Sequence, residues 1–532
     1  PARAFRALDE CIRRERRYFP AWLERARILS DTGALADAEA ALDEALRINP
    51  TSRDAQLLRI KVVKKEGRLG RADYLTDLAL EESPEDKSFL LEQLDTRRQR
   101  QDWQGAGQTL ERLRKLGPFT PDAQLAQVEL YRAQGLTRGF EDGLAQLLAD
   151  QPRFTPALIL QAKSLLADDK PREAVLAISR AVDLDPGNVE ASYWRAVAQY
   201  QAGEVLQGDA AMAETTRLAP DYPPLRLLRV RRFLLDRRLD VATPLLEDFL
   251  KDFPSDPEAL LLKSDLRVLQ GDYTGAQLLL SGIPPVWNEQ TVQFAKARLA
   301  YLNADYRTVI DLTTPMMKAT RPNWRAAYLQ AAALARLGRQ REAIALLQPF
   351  MRQSEADGRF HRLLGDIYQL GGDRNAAEKA YAEGLQIYPR KPILIEGLSR
   401  VAMEAEKWNV AREALEGGIE RPSPFLPIFL ERLSVVYLRL GRTAQAKAIR
   451  ERYLTVADPV LTELNQPSDQ GVLFSMTLPP LENTFRSVPV DDRRKSALQS
   501  SVPQQPPAAT APGATPTPVQ PSQQPSQASP RR

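Results

Sequence analysis

The sequence predicts an all-α solenoid: a tandem stack of about thirteen two-helix units that ends near residue 460, followed by a tail outside the repeating frame. Three observations predict it. Pro50, Pro84, Pro118, Pro152, Pro186, Pro220 and Pro254 recur every 34 residues without a slip. With each of these prolines at position 32 of a unit, two small-residue columns appear: Ala38, Ala72, Ala106, Ala174, Ala242 and Ala276 at position 20, and Gly33, Gly67, Gly135, Gly203 and Gly271 at position 15. Between these markers, residues 21–31 and 36–48 repeat apolar or small residues at i, i+3, i+4 and i+7, the spacing of two amphipathic helices.

Each marker has a physical role. Glycine at position 15 permits the tight turn between the two helices. Proline near the end of the unit lacks an N–H and disfavours helix in the residue before it, so the second helix stops at the same place every time. Small residues at position 8 (Ala26, Ala162, Ala196, Ser264, Ala297, Ala331, Gly365, Ser399, Ser434) and at position 20 let helix axes approach closely. One helix pair cannot bury both of its faces, whereas stacked pairs share a continuous core.

Residues 1–18 fit only the second half of a unit, with Ala4, Leu8 and Cys11 in packing columns, which predicts that residues preceded Pro1. Starting at Pro1 without an apolar leader leaves a cleaved signal, a lost anchor and a trimmed fragment all open. Residues 19–256 hold seven in-register units. Residues 257–460 hold six more, with one 33-residue and one 35-residue unit restoring the frame at Gly338/Ala343, Gly372/Ala377 and Gly441/Ala446. Phe140, Gly208 and Val309 replace the position-20 alanine, and Ile283-Pro284-Pro285 shortens the eighth unit, so a change of curvature is expected near 280–290. Residues 461–500 read as an irregular cap or linker that either closes the last pair or lies along the stack. Residues 501–532, with nine prolines and many Gln and Ser, read as a disordered tail.

Trp22, Ala26, Leu29, Gly33, Ala38, Leu42, Ala45 and Pro50 match the tetratricopeptide repeat pattern position for position, and Arg180–Asn188 (RAVDLDPGN) is similar to the ending of that family's repeat. The resemblance covers residues 1–460 and implies a right-handed superhelix whose first helices line a concave groove for peptide segments or partner proteins. Glu258–Ala276 also resembles repeats of bacterial exopolysaccharide-secretion proteins. That implies an alternative: the chain as the assembly or substrate-presenting part of a polysaccharide-secretion or glycosyltransferase system.

Groove positions are expected near 2, 5, 9, 12 and 13 of each unit. In units one to four they carry Arg27, Lys61, Lys64, Lys65, Arg98 and Arg132, offset by Asp31, Asp54, Asp95 and Glu129. In the middle units they turn aromatic and apolar, with Tyr193, Tyr200, Phe294, Tyr301 and Tyr328, while position 9 adds Arg231 and Arg298. Two readings stand: a groove taking an acidic partner stretch at its amino-terminal end and apolar anchors further on, or position-5 residues that pack against the neighbouring unit. Position 9 holds no Asn in any unit, so the Lys/Asn grip of some tetratricopeptide co-chaperones on a terminal carboxylate is not expected.

Composition excludes other classes. One Cys and one His among 532 residues rule out an intramolecular disulfide and a Cys/His zinc module. No metal, cofactor or catalytic residue is expected: His361 falls at a packing position, Cys11 in a small-residue column, and no phosphate loop follows a strand. A net charge of +4, from 73 Lys+Arg against 69 Asp+Glu, does not point to nucleic acid. The clusters Arg13/Arg14/Arg16/Arg17 and Arg226/Arg229/Arg231/Arg232/Arg237/Arg238 therefore read as solvated helix faces. No stretch approaches the roughly 18 apolar residues needed to span a bilayer. The expected partners are other proteins or peptide segments, bound without enzymatic activity. The composition suggests a bacterial source, with the compartment open between cytoplasm, periplasm and cell envelope, and oligomeric state is not legible.

Overall fold

In a computed structural model the described residues are 2–168, 170–284, 289–318, 323–351, 358–420, 423 and 425–456. All belong to one unit of the chain, Pro1–Val490. The expectations for 461–500 and 501–532 lie outside the described residues, as does the part of the expected bend at 285–288. Every regular element among the described residues is helical, and no helix there is long and apolar enough to cross a membrane.

The helices follow the proline clock. First helices begin at Phe19, Arg53, Lys87, Pro121, Thr155, Val189, Pro223 and Pro257, each 34 residues after the last. The second helices of the same units begin sixteen residues later, as Leu35–Ile48 follows the start at Phe19. Leu35–Ile48 stops two residues before Pro50, and Pro171–Leu184 two before Pro186, because proline cannot continue the ladder. The residue at position 34 then opens the next first helix: the side chains of Ser52, Asp86, Thr120, Asn188 and Asp256 each accept a hydrogen bond from a backbone N–H in its first turn.

Between the paired helices the chain turns through a left-handed residue at position 15. Gly33, Gly67, Gly135, Gly203, Gly271, Gly338, Gly372 and Gly441 all take φ between 71° and 83° there. Units without the glycine keep the geometry at a steric cost: Gln101, Arg237, Ala304 and Glu406 stand at the same position with φ of 55–59°.

Each first helix packs against its own partner, the preceding second helix and the next first helix, as Lys87–Gln99 does with Arg53–Lys65 and Pro121–Ala133. First helices thus form one continuous face and second helices the other. Ala26, Ala38, Ala72, Ala162, Ala174 and Ala196 are fully buried where axes come closest, so the alanine columns are contact points between layers. The three substitutions at position 20 are accommodated by their neighbours. Phe140 is buried with the Arg132 guanidinium 5.0 Å from its ring centre, Val309 is fully buried, and Gly208 lies under the Tyr200 ring, where a Cβ would meet ring carbons at 2.6 Å.

One detail differs from the sequence reading, and one, in the eighth unit, agrees with it. Cys11 is exposed, not packed, and Ala4 is exposed with it, because the helix Ala2–Arg14 rests on Phe19–Asp31 through its opposite side. In the eighth unit the second helix, Tyr273–Gly282, is ten residues long, whereas Leu239–Asp252 before it has fourteen.

Candidate functional site

Two clefts open on the first-helix face of the described residues. One, of about 590 Å³, crosses the helices Lys87–Gln99, Pro121–Ala133, Thr155–Ala167 and Val189–Gln201, with Leu125, Ile159, Leu160 and Trp103 as apolar wall and Arg98, Glu129, Arg132, Lys163 and Glu190 as its charges. The other, of about 410 Å³, crosses Glu289–Leu302, Trp324–Arg336, Arg359–Leu370 and Pro392–Glu404. Tyr301, Tyr328, Leu363 and Leu370 form its apolar part, and Arg336, Arg362, Asp366 and Arg400 its charged part. Its first-helix lining comes chiefly from positions 5, 9, 12 and 13 of the units, which are the places where a residue on a first helix points across to its neighbour.

The candidate groove residues divide between these clefts and a set of contacts within the chain. Arg98 and Arg132 line the larger cleft, and Tyr301 and Tyr328 the smaller. Arg27 is exposed, with Asp54 at 4.0 Å. Lys61 is 3.4 Å from Glu92, and Lys65 donates to the Ser30 hydroxyl at 3.2 Å. Tyr193 is buried edge-on against Trp194 and Tyr222, with ring centres 5.0 and 5.6 Å away. Tyr200 donates its hydroxyl to Asp209 at 2.6 Å, and Phe294 is buried in the core. The position-5 residues Tyr193 and Tyr328 and the position-12 residue Tyr301 expose only 6–8 % of their surface, so packing between units is their main contact.

The cations are tied across unit boundaries. Lys64 lies between Glu92 and Asp95, the latter at 2.6 Å, and Arg98 between Asp95 at 2.8 Å and Glu129 at 3.2 Å. Lys163 pairs with Glu190, Arg231 with Glu258 at 2.8 Å, and Arg298 with Asp265 at 2.6 Å. Arg362, Arg400 and Arg432 converge on Asp366 and on Glu396, itself only 3 % exposed. The result is a ladder of ion pairs joining first helix to first helix.

Electrostatics follow the ladder. Burial works against the Lys64 ammonium, but Asp95 and Glu92 outweigh it and hold the lysine above its usual pKa. Burial likewise opposes ionisation of Asp95 and Glu396, yet the guanidinium and ammonium groups around them keep both carboxyls below the ordinary range. The Tyr328 hydroxyl is pushed up by burial, with the Asp366 carboxylate adding to the shift. His361 is buried against Tyr388, and that burial lowers its pKa.

A model of the tetratricopeptide repeat matches residues 1–53, 159–223 and 227–284. Over these stretches the chain matches the tetratricopeptide repeat family. No curated protein matches the sequence significantly. Among solved structures, this repeat array is similar to the APC/C hetero-tetramer Cut9–Hcn1, at 14% identity and a TM-score of 0.45 over 91% of this chain and 96% of that one. It is also similar to yeast Tom70, at 13% identity and a TM-score of 0.37 over 85% of this chain and 99% of that one.

Five further residues that line the clefts, Lys163, Arg336, Arg362, Asp366 and Arg400, are not among the candidates, although all stand at positions 5, 9 or 13 of their units. The signal for part of the ladder is opposite charge at position 9 of adjacent units, as in Asp265/Arg298 and Asp366/Arg400. Of the two basic clusters, Arg13 and Arg14 are solvated and pair with Glu10, whereas the second departs from the expected solvated face: Arg231 is buried on Glu258, and Arg226 and Arg232 are largely covered where they meet Asp248, Asp252 and Asp209, because this first helix is packed between its neighbours.

Proposed function

We propose that this tetratricopeptide array is a non-enzymatic scaffold that binds segments of partner proteins along its first-helix face. The observation that carries the reading is the placement of the two clefts. Each is floored by four successive first helices, the arrangement that lets an extended segment contact several units at once. Both combine apolar wall with charged side chains, as recognition of a peptide requires.

The alternative, a part of a polysaccharide-secretion or glycosyltransferase system, draws on Glu258–Ala276. Within that segment Glu258 holds Arg231 and Asp265 holds Arg298, so two of its charged side chains serve to join units, a use that favours the scaffold reading.

Site-specific photo-crosslinking in cells tests the proposal. A photoreactive residue at Gln99 or Gln369, which line the clefts, is expected to trap discrete partner proteins, whereas one at Leu206 or Leu278, exposed on second helices, is not. Crosslinks confined to the second-helix positions would reject it.

A further inference from the structure

We infer that the larger cleft, between Arg98 and Glu190, takes an uncharged stretch of extended peptide from a partner protein, its apolar side chains on the cleft wall and its backbone held by Gln101 and Trp103. The inference rests on the groove reading above and names the chemistry that this part of the face recognises.

The charged side chains that line this cleft already have partners inside the chain. Both Glu129 carboxylate oxygens accept from Arg98 Nη1, at 3.3 and 3.2 Å, while Arg98 Nη2 donates to Asp95 at 2.8 Å. Lys163 pairs with Glu190 and lies 5.2 Å from the centre of the Trp194 ring. Arg132 donates to the Ser164 hydroxyl at 3.4 Å and covers the Phe140 ring. Burial opposes the charge on Arg98 and on Glu190, yet Glu129 and Asp95 hold the guanidinium above its ordinary pKa, and Lys163 holds the carboxyl below its own. A charged visitor would have to displace one of these partners or be buried beside them without a counter-charge. An uncharged segment meets neither cost.

The open polar groups of Gln101 and Trp103 are neutral. Both residues line the cleft and are half-buried. Neither side chain makes a hydrogen bond among the described residues, and none of their polar atoms is sealed from solvent. An indole N–H only donates, whereas a glutamine amide both donates and accepts. Together they match a peptide backbone, whose carbonyl accepts from either residue and whose N–H donates to Gln101 Oε1. The fold holds both in place. Gln101 is the left-handed residue, with φ of 59°, in the turn between Lys87–Gln99 and Trp103–Lys115, and the Trp103 ring packs against the core that contains Leu94 and Leu110.

The wall sets the side chains of the visitor. Leu125, Ile159 and Leu160, each 4–5% exposed, form an apolar floor, and Ala133 and Pro156 are exposed at its rim. At about 590 Å³ the cleft is within the range of ligand pockets, and because it crosses four first helices it receives a length of chain rather than one side chain.

The test starts from phage displaying random ten-residue peptides, panned on the full chain and counter-selected on Ala133→Arg, which sends a long side chain into the cleft from an exposed position. The expected peptides carry no Asp, Glu, Lys or Arg in their central half. Labelled and measured by fluorescence anisotropy, they should bind the full chain with less than about twofold change between roughly 50 and 500 mM salt. Gln101→Gly removes the amide while keeping the turn, and Trp103→Phe removes the N–H while keeping a ring; each should weaken binding by about threefold or more. Gln369→Ala, in the smaller cleft, should leave it unchanged. Thermal unfolding followed by circular dichroism checks that the variants stay folded. Charged residues at the centre of the recovered peptides, binding that falls at least about tenfold over that salt range, or no peptide surviving counter-selection would overturn the inference. So would binding indifferent to either Gln101→Gly or Trp103→Phe, the behaviour of a ligand that uses only the apolar wall. If crosslinks at Gln369 still trap partners in those cases, the scaffold reading stands without it; if crosslinks at Gln99 and Gln369 are both silent, the two fall together.

Discussion

Ala304→Gly should stabilise the ninth unit. Ala304 stands at position 15, between the helices Glu289–Leu302 and Tyr306–Met317, with φ of 59°, where eight other units place glycine. A side chain in this left-handed conformation costs about 1–2 kcal/mol, from Cβ crowding the following carbonyl. Glycine removes that crowding and returns roughly 0.5–1 kcal/mol in backbone entropy to the unfolded chain. The Ala304 methyl is exposed, so no packing is lost, and the hydrogen bonds from Ala304 N–H to the Tyr301 carbonyl and from Asp305 N–H to the Ala300 carbonyl are kept. The net expectation is a gain of about 0.5–1 kcal/mol, local to the unit. Global melting is a poor reporter in a stack whose units open separately, so native-state hydrogen exchange across Glu289–Met317 is the assay. Amides there should exchange roughly two- to five-fold more slowly in the variant. The mirror experiment is Gly271→Ala, where φ is 79° and an added Cβ meets nothing within 4 Å, so only backbone strain is introduced. Faster exchange in Ala304→Gly, or unchanged exchange in Gly271→Ala, would refute the argument from the turn.

Asp265→Ala leaves the Arg298 guanidinium, 6% exposed, without its carboxylate and should cost about 3–5 kcal/mol, whereas Asp265→Leu with Arg298→Met should recover most of it in urea unfolding. His361 has its pKa lowered by burial, so the unfolded chain takes up the proton at higher pH than the folded one. Its stability contribution is complete above about pH 6.5 and is lost as pH falls through the lower folded value, and His361→Gln should flatten that part of the stability-against-pH curve. Gly365→Ala and Gly397→Ala each drive a methyl to within 2.4 and 2.6 Å of the Tyr381 ring, for an expected loss of about 1–3 kcal/mol, which Tyr381→Leu should partly relieve in thermal melts.

The fold was legible because its determinants are local and repeated. Pro50 and its successors, the glycine turns and the alanine columns act within a unit or across one boundary, and thirty-four residues suffice to state them. The face that the first helices share was legible from the same frame, down to the positions that line the clefts. Which side chains there are committed elsewhere was not. Lys64 meets Asp95 and Arg98 meets Glu129 across 31 residues of sequence, from position 12 of one unit to position 9 of the next. Such pairings depend on side-chain reach between stacked helices, which column arithmetic does not carry. Cys11 shows the complementary limit: its column implies packing, but the helix Ala2–Arg14 is covered on one side only.

The main contacts of this chain run between helices one or two places apart in sequence. Among the described residues no strong contact joins distant helices, so that part of the array, pulled from its two ends, has no clasp to break before it yields. It should pay out thread unit by unit, each release adding roughly 110–120 Å of contour for 34 residues at 3.3–3.6 Å apiece, and rewind from whatever part survives. The ion pairs that bridge neighbouring first helices would then set the tension at which each release occurs, making the side chains that tie one unit to the next the fuses of a molecular tether.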